Sequence, residues 1–371
     1  MKNNFTQRSK ALTAISFYAS IALCLLGCFW AALVVFLLFV YFSVRITQTA
    51  HGRLDYLTAL SLSVITVNAR LKPEKSMDFR IRLPINLLYP LSNLIPKEPV
   101  SQVSNIEIFT ETSSINGPLN ARVYWPAKVK NTQGGLPLIV YFHGGGFVLG
   151  SVAVFDNEAR SLANACNGIV VSVDYRLAPR YPYPAAIEDG FEAVKWAFQN
   201  AESLGADKTK ILVAGDSAGG AISAAVALKV VNEQLPYPLA GQLLFYPVTD
   251  MSDTTYSSLT HFIEGYGMSQ NQMEGFKQAY LGHVEDLKDP YISPLCANNH
   301  KGLAPALIIT AGFDPLRDSG ERYAEKLKLN GVPVSYIEYR GMMHGFMSIR
   351  YFKQRADAFN ETGNFVQELF K

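Results

Sequence analysis

The sequence GDSAGG at residues 215–220 is the most informative motif of this chain. It follows a short apolar run at residues 211–214 and opens a run of helix-forming residues at 219–233. A serine in the pattern G-x-S-x-G, between a strand and a helix, is typical of a sharp turn that exposes its hydroxyl above a sheet. The motif alone would also suit a serine that only caps a helix, but the strand before it and the helix after it favour Ser217 as a nucleophile.

Short apolar runs alternate with longer helical runs from about residue 103 to the C-terminus. Several apolar runs are continuous, as expected for strands buried on both faces of a parallel sheet. The alternation predicts an α/β fold with a mostly parallel central sheet of about eight strands, flanked by helices. The predicted strands are residues 105–110, 121–125, 136–142, 168–175, 211–214, 242–246, 306–311 and 334–339, and the predicted helices are residues 187–201, 219–233, 319–329 and 352–369.

A serine hydroxyl needs a base to remove its proton and an acid to orient that base. In a sheet of this type the three groups follow the chain order serine, acid, histidine, each just after a strand. Asp314 follows the seventh predicted strand and His344 follows the eighth. Asp318 is the competing acid, but its position suits the start of the next helix, where a carboxylate interacts favourably with the helix dipole. We therefore predict Ser217 as nucleophile, Asp314 as acid and His344 as base.

The chain has six histidines, so the remaining five can be considered in turn. His51 lies close to the apolar N-terminal segment described below. His143 precedes Ser217 in the chain, which is the wrong order for the base. The other three lie among polar or helical residues typical of a solvated surface: His261, His283 and His300.

Consecutive glycines follow His143 directly after the third predicted strand. Attack on an ester carbonyl creates an oxyanion, which prepositioned backbone N–H groups stabilise. Glycines let the main chain approach closely because they have no Cβ. We predict that the oxyanion donors are the N–H groups of Gly144, Gly145 and Ala218. The residues predicted to support the site are His143, Gly146 and Asp216. A merely flexible glycine turn is the alternative, and it would not require the other catalytic groups.

Residues 11–44 contain no charged side chain and no histidine, and 29 of these 34 residues are hydrophobic. An α-helix needs about 20 apolar residues to cross a bilayer. We therefore predict an N-terminal tail over residues 1–14 and a single transmembrane anchor over residues 15–44. Lysine and arginine are more frequent before the anchor than after it, which favours a cytosolic N-terminus and a catalytic domain in the periplasm or the lumen of the endoplasmic reticulum. A cleaved signal peptide and lipoprotein cleavage at Cys28 are the alternatives.

The composition limits the partners of the chain. It carries 33 Lys and Arg against 31 Asp and Glu, so its formal net charge is +2. That near balance lacks the basic surface of a nucleic-acid-binding protein, so we expect no nucleic-acid partner. Hydrophobic residues make up 49% of the chain, which excludes disorder as its dominant state. Cys166 and Cys296 could form a disulfide or remain two buried thiols.

Taken together, the motifs resemble those of the hormone-sensitive lipase family of α/β-hydrolases. The residues that carry the resemblance are HGGG at 143–146, DYRLAP at 174–179, GDSAGG at 215–220, DPLRD at 314–318 and HGF at 344–346. The resemblance covers the chain from about residue 103 to its C-terminus. It implies an α/β-hydrolase fold, hydrolysis of short- to medium-chain carboxylic esters, no metal and no cofactor, and the same roles for Ser217, Asp314 and His344. With the N-terminal segment included, the layout is similar to arylacetamide deacetylase and its membrane-anchored relatives.

The resemblance also implies a helical cap. It would be built from residues 45–100, which we interpret as linker and cap helices, and from an insert at about residues 250–297 within a catalytic domain spanning 101–371. Side chains of the insert are the candidates for the substrate pocket, although they could equally form the core of the cap: Phe262, Tyr266, Met268, Met273 and Phe276.

These observations predict a membrane-anchored serine carboxylesterase that acts on small ester substrates. The oligomeric state is left open, with a homodimer as one option. The same catalytic groups would also suit an amidase or a deacetylase of acylated amines or sugars. A ligand receptor on the same fold is the third alternative, but the presence of Ser217, Asp314 and His344 together argues against it.

Overall fold

The computed structural model describes residues 97–371 apart from 111–116, 130–133, 264–265, 267 and 351. Before residue 97 it describes five helical positions, residues 16, 19, 33, 34 and 37, and a short antiparallel pair of strands, Gln48–Thr49 and Gly52–Arg53. The predicted tail, anchor and linker therefore lie almost wholly outside the described residues.

The localisation predicted from the sequence, a single-pass membrane protein with its catalytic domain outside the cytosol, has to be corrected. Nowhere in the described part of the chain is there a helix with the length and apolarity that crossing a bilayer requires. The anchor predicted over residues 15–44 lies outside the described residues except at five positions. Membrane anchoring therefore plays no part in the function proposed below.

A mostly parallel sheet of eight strands forms the centre of the described region. The strands are β1 (Gln102–Ile108), β2 (Leu119–Trp125), β3 (Leu136–Phe142), β4 (Ile169–Val173), β5 (Ala206–Asp216), β6 (Gly241–Phe245), β7 (Ala306–Phe313) and β8 (Val334–Met343). Their order across the sheet is β8-β7-β6-β5-β3-β4-β2-β1, with β2 antiparallel to both of its neighbours. The predicted α/β fold and its eight strands are confirmed.

Helices cover both faces of this sheet. They are α1 (Asp156–Cys166), α2 (Ala185–Leu204), α3 (Ala218–Asn232), α4 (Ser257–Phe262), α5 (Gln270–Leu281), α6 (Arg317–Leu329) and α7 (Lys353–Leu369), with 3₁₀ turns at Pro294–Cys296 and Phe346–Ser348. The four predicted helices correspond to α2, α3, α6 and α7, whereas α1 was not predicted.

Side chains of β3 alternate between two hydrophobic cores. Leu138, Val140 and Phe142 pack with α2, α3 and α6 on one face, and Ile139 and Tyr141 pack with α1 and α7 on the other. Successive side chains of a strand point to opposite faces, so an apolar side chain at every position requires cover on both sides. This double cover explains the continuous apolar runs of the sequence.

The chain between β6 and β7 leaves the sheet and carries α4, α5 and the 3₁₀ turn Pro294–Cys296. A capping box defines the start of α5: Ser269 Oγ accepts the N–H of Gln272 (3.2 Å), and Gln272 Oε1 accepts the N–H of Ser269 (3.0 Å). This segment occupies the place of the insert predicted at about residues 250–297.

The two described cysteines are unpaired thiols. Cys166 is buried in α1 and Cys296 is partly exposed. The disulfide alternative is therefore wrong. Burial raises the pKa of the Cys166 thiol, which keeps it protonated and unreactive.

Candidate active site

Ser217 is the residue between β5 and α3, and its backbone has φ 55° and ψ −118°. Positive φ is uncommon for a residue other than glycine, so the surrounding structure has to hold the serine in this conformation. Its N–H donates to the carbonyl of Phe245 (2.9 Å), and its own carbonyl accepts from the N–H of Val248 (3.3 Å). The end of β6 therefore fixes the turn, and Ser217 lines a pocket.

Two glycines make this sharp turn sterically feasible. A Cβ at Gly215 would collide with the backbone of Gly219, and a Cβ at Gly219 would collide with the carbonyl of Phe142 on β3. Neither position can carry a side chain without moving the nucleophile. The spacing of the motif thus follows from the close approach of β3, β5 and α3.

The structure brings the three predicted catalytic residues together. His344 Nε2 lies 2.9 Å from Ser217 Oγ, and His344 Nδ1 lies 2.8 Å from Asp314 Oδ2. Asp314 is fully buried, and its other oxygen accepts the N–H of Leu316 (2.8 Å). Because both oxygens of Asp314 have a donor, the carboxylate is held in one orientation behind the imidazole.

Hydrogen bonding sets the tautomer of His344. A carboxylate only accepts, so the proton of the neutral ring lies on Nδ1, and Nε2 is left to accept the hydroxyl proton of Ser217. Burial alone would lower the pKa of His344, but the charge and hydrogen bond of Asp314 outweigh it, with a smaller contribution from Asp216, and the pKa is raised. The edge of the Tyr246 ring packs against the imidazole at 5.0 Å between centroids.

Asp318, the competing acid, lies in the first turn of α6 and away from the histidine. Its Oδ2 accepts the N–H of Ser258 (2.7 Å), and its Oδ1 pairs with the guanidinium of Arg317 (2.7 Å). Asp318 therefore joins α6 to α4, and Asp314 alone of the two contacts His344.

The glycine loop differs from the prediction by one residue. The N–H of Gly144 donates to Asp216 Oδ1 (3.0 Å), so it is already used and does not face an oxyanion. Gly145 and Gly146 line the pocket beside Ser217, and neither their N–H groups nor that of Ala218 has a hydrogen-bond partner in the part of the chain that the structure describes. The predicted donor role of Gly144 therefore does not fit the structure, because Asp216 already accepts its N–H, whereas the N–H of Gly146, predicted as a supporting residue, has no such partner.

Asp216 supports the loop from below. Its Oδ1 accepts both the N–H of Gly144 and the hydroxyl of Tyr141 (2.6 Å). A Cβ at Gly144 would collide with this carboxylate, so the loop can approach it only as glycine. Burial raises the pKa of Asp216 to about 6, although both hydrogen bonds act in the opposite direction.

His143 holds the other side of Gly144. Its ring is fully buried between Tyr175 and Phe155, with centroid distances of 4.4 Å and 5.2 Å. Nδ1 donates to the carbonyl of Gly144 (2.8 Å), and the hydroxyl of Tyr175 donates to the carbonyl of His143 (2.7 Å). Burial lowers the pKa of His143, so the ring is neutral. Asp216 and His143 thus hold the N–H and the carbonyl of Gly144, respectively.

Ser217 and His344 line a pocket of about 660 Å³. Most of its wall is apolar, and its apolar lining residues include Phe147, Leu149, Phe155, Val248, Met251, Leu259, Ile263 and Leu316. Helices α4 and α5 form one side of this wall. Charged side chains also reach the lining, among them Asp250, Glu274 and Lys277.

The candidate pocket residues divide into two groups. The lining includes Met268, Met273 and Phe276, as predicted. Phe262 and Tyr266 are buried instead against Phe313 and Met343, where they form the small core that joins the insert to the end of β7. These two residues therefore hold the insert in place.

Sequence reasoning missed two tyrosines near the site. Tyr141 is the second-last residue of β3, and Tyr246 directly follows β6. Both positions are at the carboxyl ends of parallel strands, the same edge of the sheet that carries Ser217. Their placement at this edge was the signal in the sequence from which a position near the site could have been predicted.

The remaining histidines are not all on the surface. His261 and His283 are exposed as expected, but His300 is fully buried, and its Nε2 lies 2.9 Å from the carbonyl oxygen of Pro294. Its polar sequence surroundings gave the wrong expectation because its ring packs edge-on against Tyr323 of α6. Within the described ranges no group of three or more His, Cys, Asp or Glu side chains is placed to hold a metal ion.

Comparison with known proteins places this site in a family. A sequence family described by the α/β hydrolase fold matches residues 139–348. The esterase LipI of Mycobacterium tuberculosis is 40% identical over 256 residues, which are 68% of this chain and 78% of that protein. An arylesterase of Saccharolobus solfataricus is 38% identical over 268 residues, which are 72% of this chain and 83% of that protein.

Solved structures agree with these sequence matches. An ester hydrolase from the metagenome of Lake Arreo, in complex with a bipyridine phosphonate derivative, superposes with a TM-score of 0.78 at 36% identity over 85% of this chain and 99% of that one. The hyperthermophilic esterase of Pyrobaculum calidifontis superposes with a TM-score of 0.76 at 35% identity over 84% and 97% of the two chains. The chain therefore belongs to the α/β-hydrolase family, within its hormone-sensitive-lipase-like group of esterases.

Proposed function

We propose that this chain is a serine carboxylesterase that hydrolyses short- to medium-chain carboxylic esters through an acyl-enzyme on Ser217. One observation carries the proposal: the hydrogen-bonded series Ser217, His344, Asp314 opens onto an apolar pocket of about 660 Å³. A charge-neutral ester fits such a wall better than a polyanion, because charged groups lose their hydration in an apolar site.

In the first half of the reaction, Ser217 Oγ attacks the acyl carbon while His344 Nε2 takes the hydroxyl proton. The carbonyl oxygen becomes an oxyanion that accepts hydrogen bonds from the N–H groups of Gly145, Gly146 and Ala218. Losing one such donor typically lowers kcat by about 10²- to 10³-fold. His344, now an imidazolium held by the Asp314 carboxylate, then donates its proton to the leaving alcohol.

In the second half, water replaces the alcohol. His344 accepts a proton from the water, whose oxygen attacks the acyl carbon and displaces Ser217 Oγ as the intermediate collapses. The carboxylic acid leaves, and the hydroxyl of Ser217 recovers its proton from His344. Asp314 stays ionised in both halves and keeps the imidazole oriented.

The insert at about residues 250–297 is proposed to act as the cap of the catalytic domain, residues 101–371. Support comes from Met273 and Phe276 on α5, which line the pocket above the nucleophile. An apolar wall formed by the cap favours the acyl or alcohol chain of an ester over free water. Substrate preference should therefore change when these two side chains change.

The test compares Ser217→Ala with the wild type on p-nitrophenyl butyrate and on the matched butyranilide. We expect the wild type to cleave the ester, and Ser217→Ala to lose about 10⁴- to 10⁶-fold in kcat. A fluorophosphonate should label the wild type and not the variant. Ser203→Ala is the matched control, because the exposed Ser203 hydroxyl only contacts the carbonyl of Asn200 at the end of α2.

Other outcomes would favour the alternatives. Comparable turnover of the ester by Ser217→Ala would overturn the proposal. Preferential cleavage of the anilide would make the chain an amidase. Absence of both turnover and fluorophosphonate labelling in the folded wild type would point to a receptor.

A further inference from the structure

A second, much smaller cavity lies behind the nucleophile. Its volume is about 10 Å³, close to the space that a single buried water needs. Two carboxylic acids line it, Glu158 of α1 and Asp216 at the end of β5, together with Tyr141 and Tyr246. The rest of the wall is apolar and consists of Leu162, Phe245, Met347 and Phe359.

The hydroxyl of Tyr246 points to an occupant of this cavity. Tyr246 is 1% exposed, and its hydroxyl makes no hydrogen bond of good geometry within the described residues. Burying a hydroxyl without a hydrogen-bond partner has a free-energy cost. A water between the two carboxyl groups would remove that cost, because it could accept from the tyrosine and donate to a carboxylate.

The small cavity lies beside both loops that carry catalytic groups. Met347, three residues after His344, lines it, and so does Asp216, which accepts the N–H of Gly144. Glu158, as a further lining residue, therefore lies next to the oxyanion loop and the histidine loop at once.

The electrostatics of this pair favour one retained proton. Burial and then the charge of Asp216 raise the pKa of Glu158 to about 7, and burial raises the pKa of Asp216 to about 6. The titratable and charged groups that face the pair are Tyr141 on β3, Tyr175 after β4, Tyr246 after β6, His344 after β8 and Arg355 on α7. The charge of Arg355 acts against the shift of Glu158 without cancelling it.

We propose that Glu158 and Asp216 share one proton through a water held in the small cavity, and that protonated Glu158 is a positioning residue for the oxyanion loop. The positioning role rests on the proposed esterase function, whereas the shared proton does not. With one proton on the pair, Asp216 keeps its negative charge and still accepts the hydrogen bond from the N–H of Gly144.

Loss of that proton places a second negative charge, on the partly buried Glu158, near the buried Asp216 in a cavity whose remaining wall is mostly apolar. The repulsion is strong at low dielectric and pushes Asp216 away from the position that orients Gly144. A second negative charge also lies behind the place where the negative oxyanion forms, which weakens its stabilisation. Both effects lower kcat, so ionisation of Glu158 should appear as an alkaline decline.

The first experiment measures kcat for p-nitrophenyl butyrate from pH 5 to pH 9 in the wild type and in Glu158→Gln. Glutamine keeps the shape of the protonated acid and does not titrate. We expect the wild type to lose about threefold or more above neutral pH, and the variant to stay level. Glu192→Gln on α2, which removes a carboxylate paired with Lys195, should retain the wild-type decline. An alkaline decline that persists unchanged in Glu158→Gln would overturn the positioning role.

The second experiment needs no activity. A folded-state pKa above the unfolded value means that the stabilisation is complete below the unfolded pKa, about 4.5, and is lost as pH rises through the folded value of about 7. The Tm of the wild type should therefore fall between pH 5 and pH 8, and the Tm of Glu158→Gln should fall less over the same range. Infrared titration of the wild type alone should show a protonated carboxyl that disappears only near neutral pH. Absence of that band at pH 6 would overturn the shared proton, even if the chain proves to be an active esterase.

Discussion

Two buried carboxylates lie close to the nucleophile, and they differ in what faces them. Asp314 is fully buried, with one oxygen on the imidazole of His344 and the other on the N–H of Leu316. During the reaction the imidazole becomes a cation, so the charge of Asp314 gains a partner in the transition state.

Asp216 is nearly as buried, at 6% exposure, but its donors are neutral. One oxygen accepts from Tyr141 and Gly144, and Glu158 lines the same small cavity. No group that Asp216 contacts gains charge during the reaction. Its effect on kcat is therefore mainly geometric, through the peptide that it orients, with a smaller effect of its charge on the pKa of His344, whereas the effect of Asp314 is electrostatic.

The largest effect is expected from Asp314→Asn. The amide keeps the shape of the acid, but it can donate to Nδ1 and so favours the wrong tautomer of His344. We expect kcat to fall about 10⁴-fold with little change in KM. Asp318→Asn is the matched control four residues on, and it should lose far less activity because Asp318 contacts α4 and not the histidine. A larger loss in Asp318→Asn would reverse the assignment of the acid.

The next effect is expected from Asp216→Ala. The change leaves the hydroxyl of Tyr141 and the N–H of Gly144 unpaired in a buried place, so the oxyanion loop is free to move. Displacing reacting groups by about 1 Å can cost about 10²-fold in rate, and we expect a loss in kcat of that order. The dependence of log kcat on pH distinguishes the roles of the two carboxylates. Asp216→Ala should retain the fall in activity at acidic pH that protonation of His344 causes. A loss as large as that of Asp314→Asn would contradict the geometric role.

The same contrast explains what could be predicted from sequence. Ser217, Asp314 and His344 follow a rule of chain order, and each stands just after a strand with a clear apolar pattern. The choice between Gly144 and Gly146 depends on a hydrogen bond to Asp216, 72 residues away, which no local pattern encodes. The sequence alone therefore could not distinguish Gly144 from Gly146 in the oxyanion loop.

Glu158 shows the same limit more strongly. It lies on α1, a helix that the sequence did not predict, among residues typical of a solvated helix face. Only the packing of α1 against the sheet brings its carboxyl to Asp216. His300 was misjudged for a related reason, since its polar neighbours along the chain are not its neighbours in space.

A smaller effect is expected from Tyr141→Phe. The change removes one of the two donors to Asp216 Oδ1 and leaves the N–H of Gly144 in place. A hydrogen bond to a charged group contributes about 1.5–3 kcal/mol, so a few degrees should be lost from Tm, with a fall in kcat below about tenfold. Tyr323→Phe on α6 is the control, because its buried hydroxyl has no partner among the described residues. Equal losses in both variants would show that the Tyr141 hydroxyl does not support the loop.

The smallest effect is expected from Asp216→Asn. It should appear as a shift of the acid limb of the pH–activity profile relative to the wild type. Burial alone would lower the pKa of His344, but the charge and hydrogen bond of Asp314, followed by the charge of Asp216, raise it. Activity requires neutral His344, so kcat/KM should fall as pH drops through this raised pKa. Removing the charge of Asp216 takes away the smallest raising contribution. The acid limb should then move to lower pH, so the variant should keep a larger fraction of its maximal activity than the wild type at a fixed acidic pH. A shift of the acid limb to higher pH would mean that Asp216 does not act on His344 through its charge. Of the two carboxylates, Asp314 alone would then interact electrostatically with the imidazole.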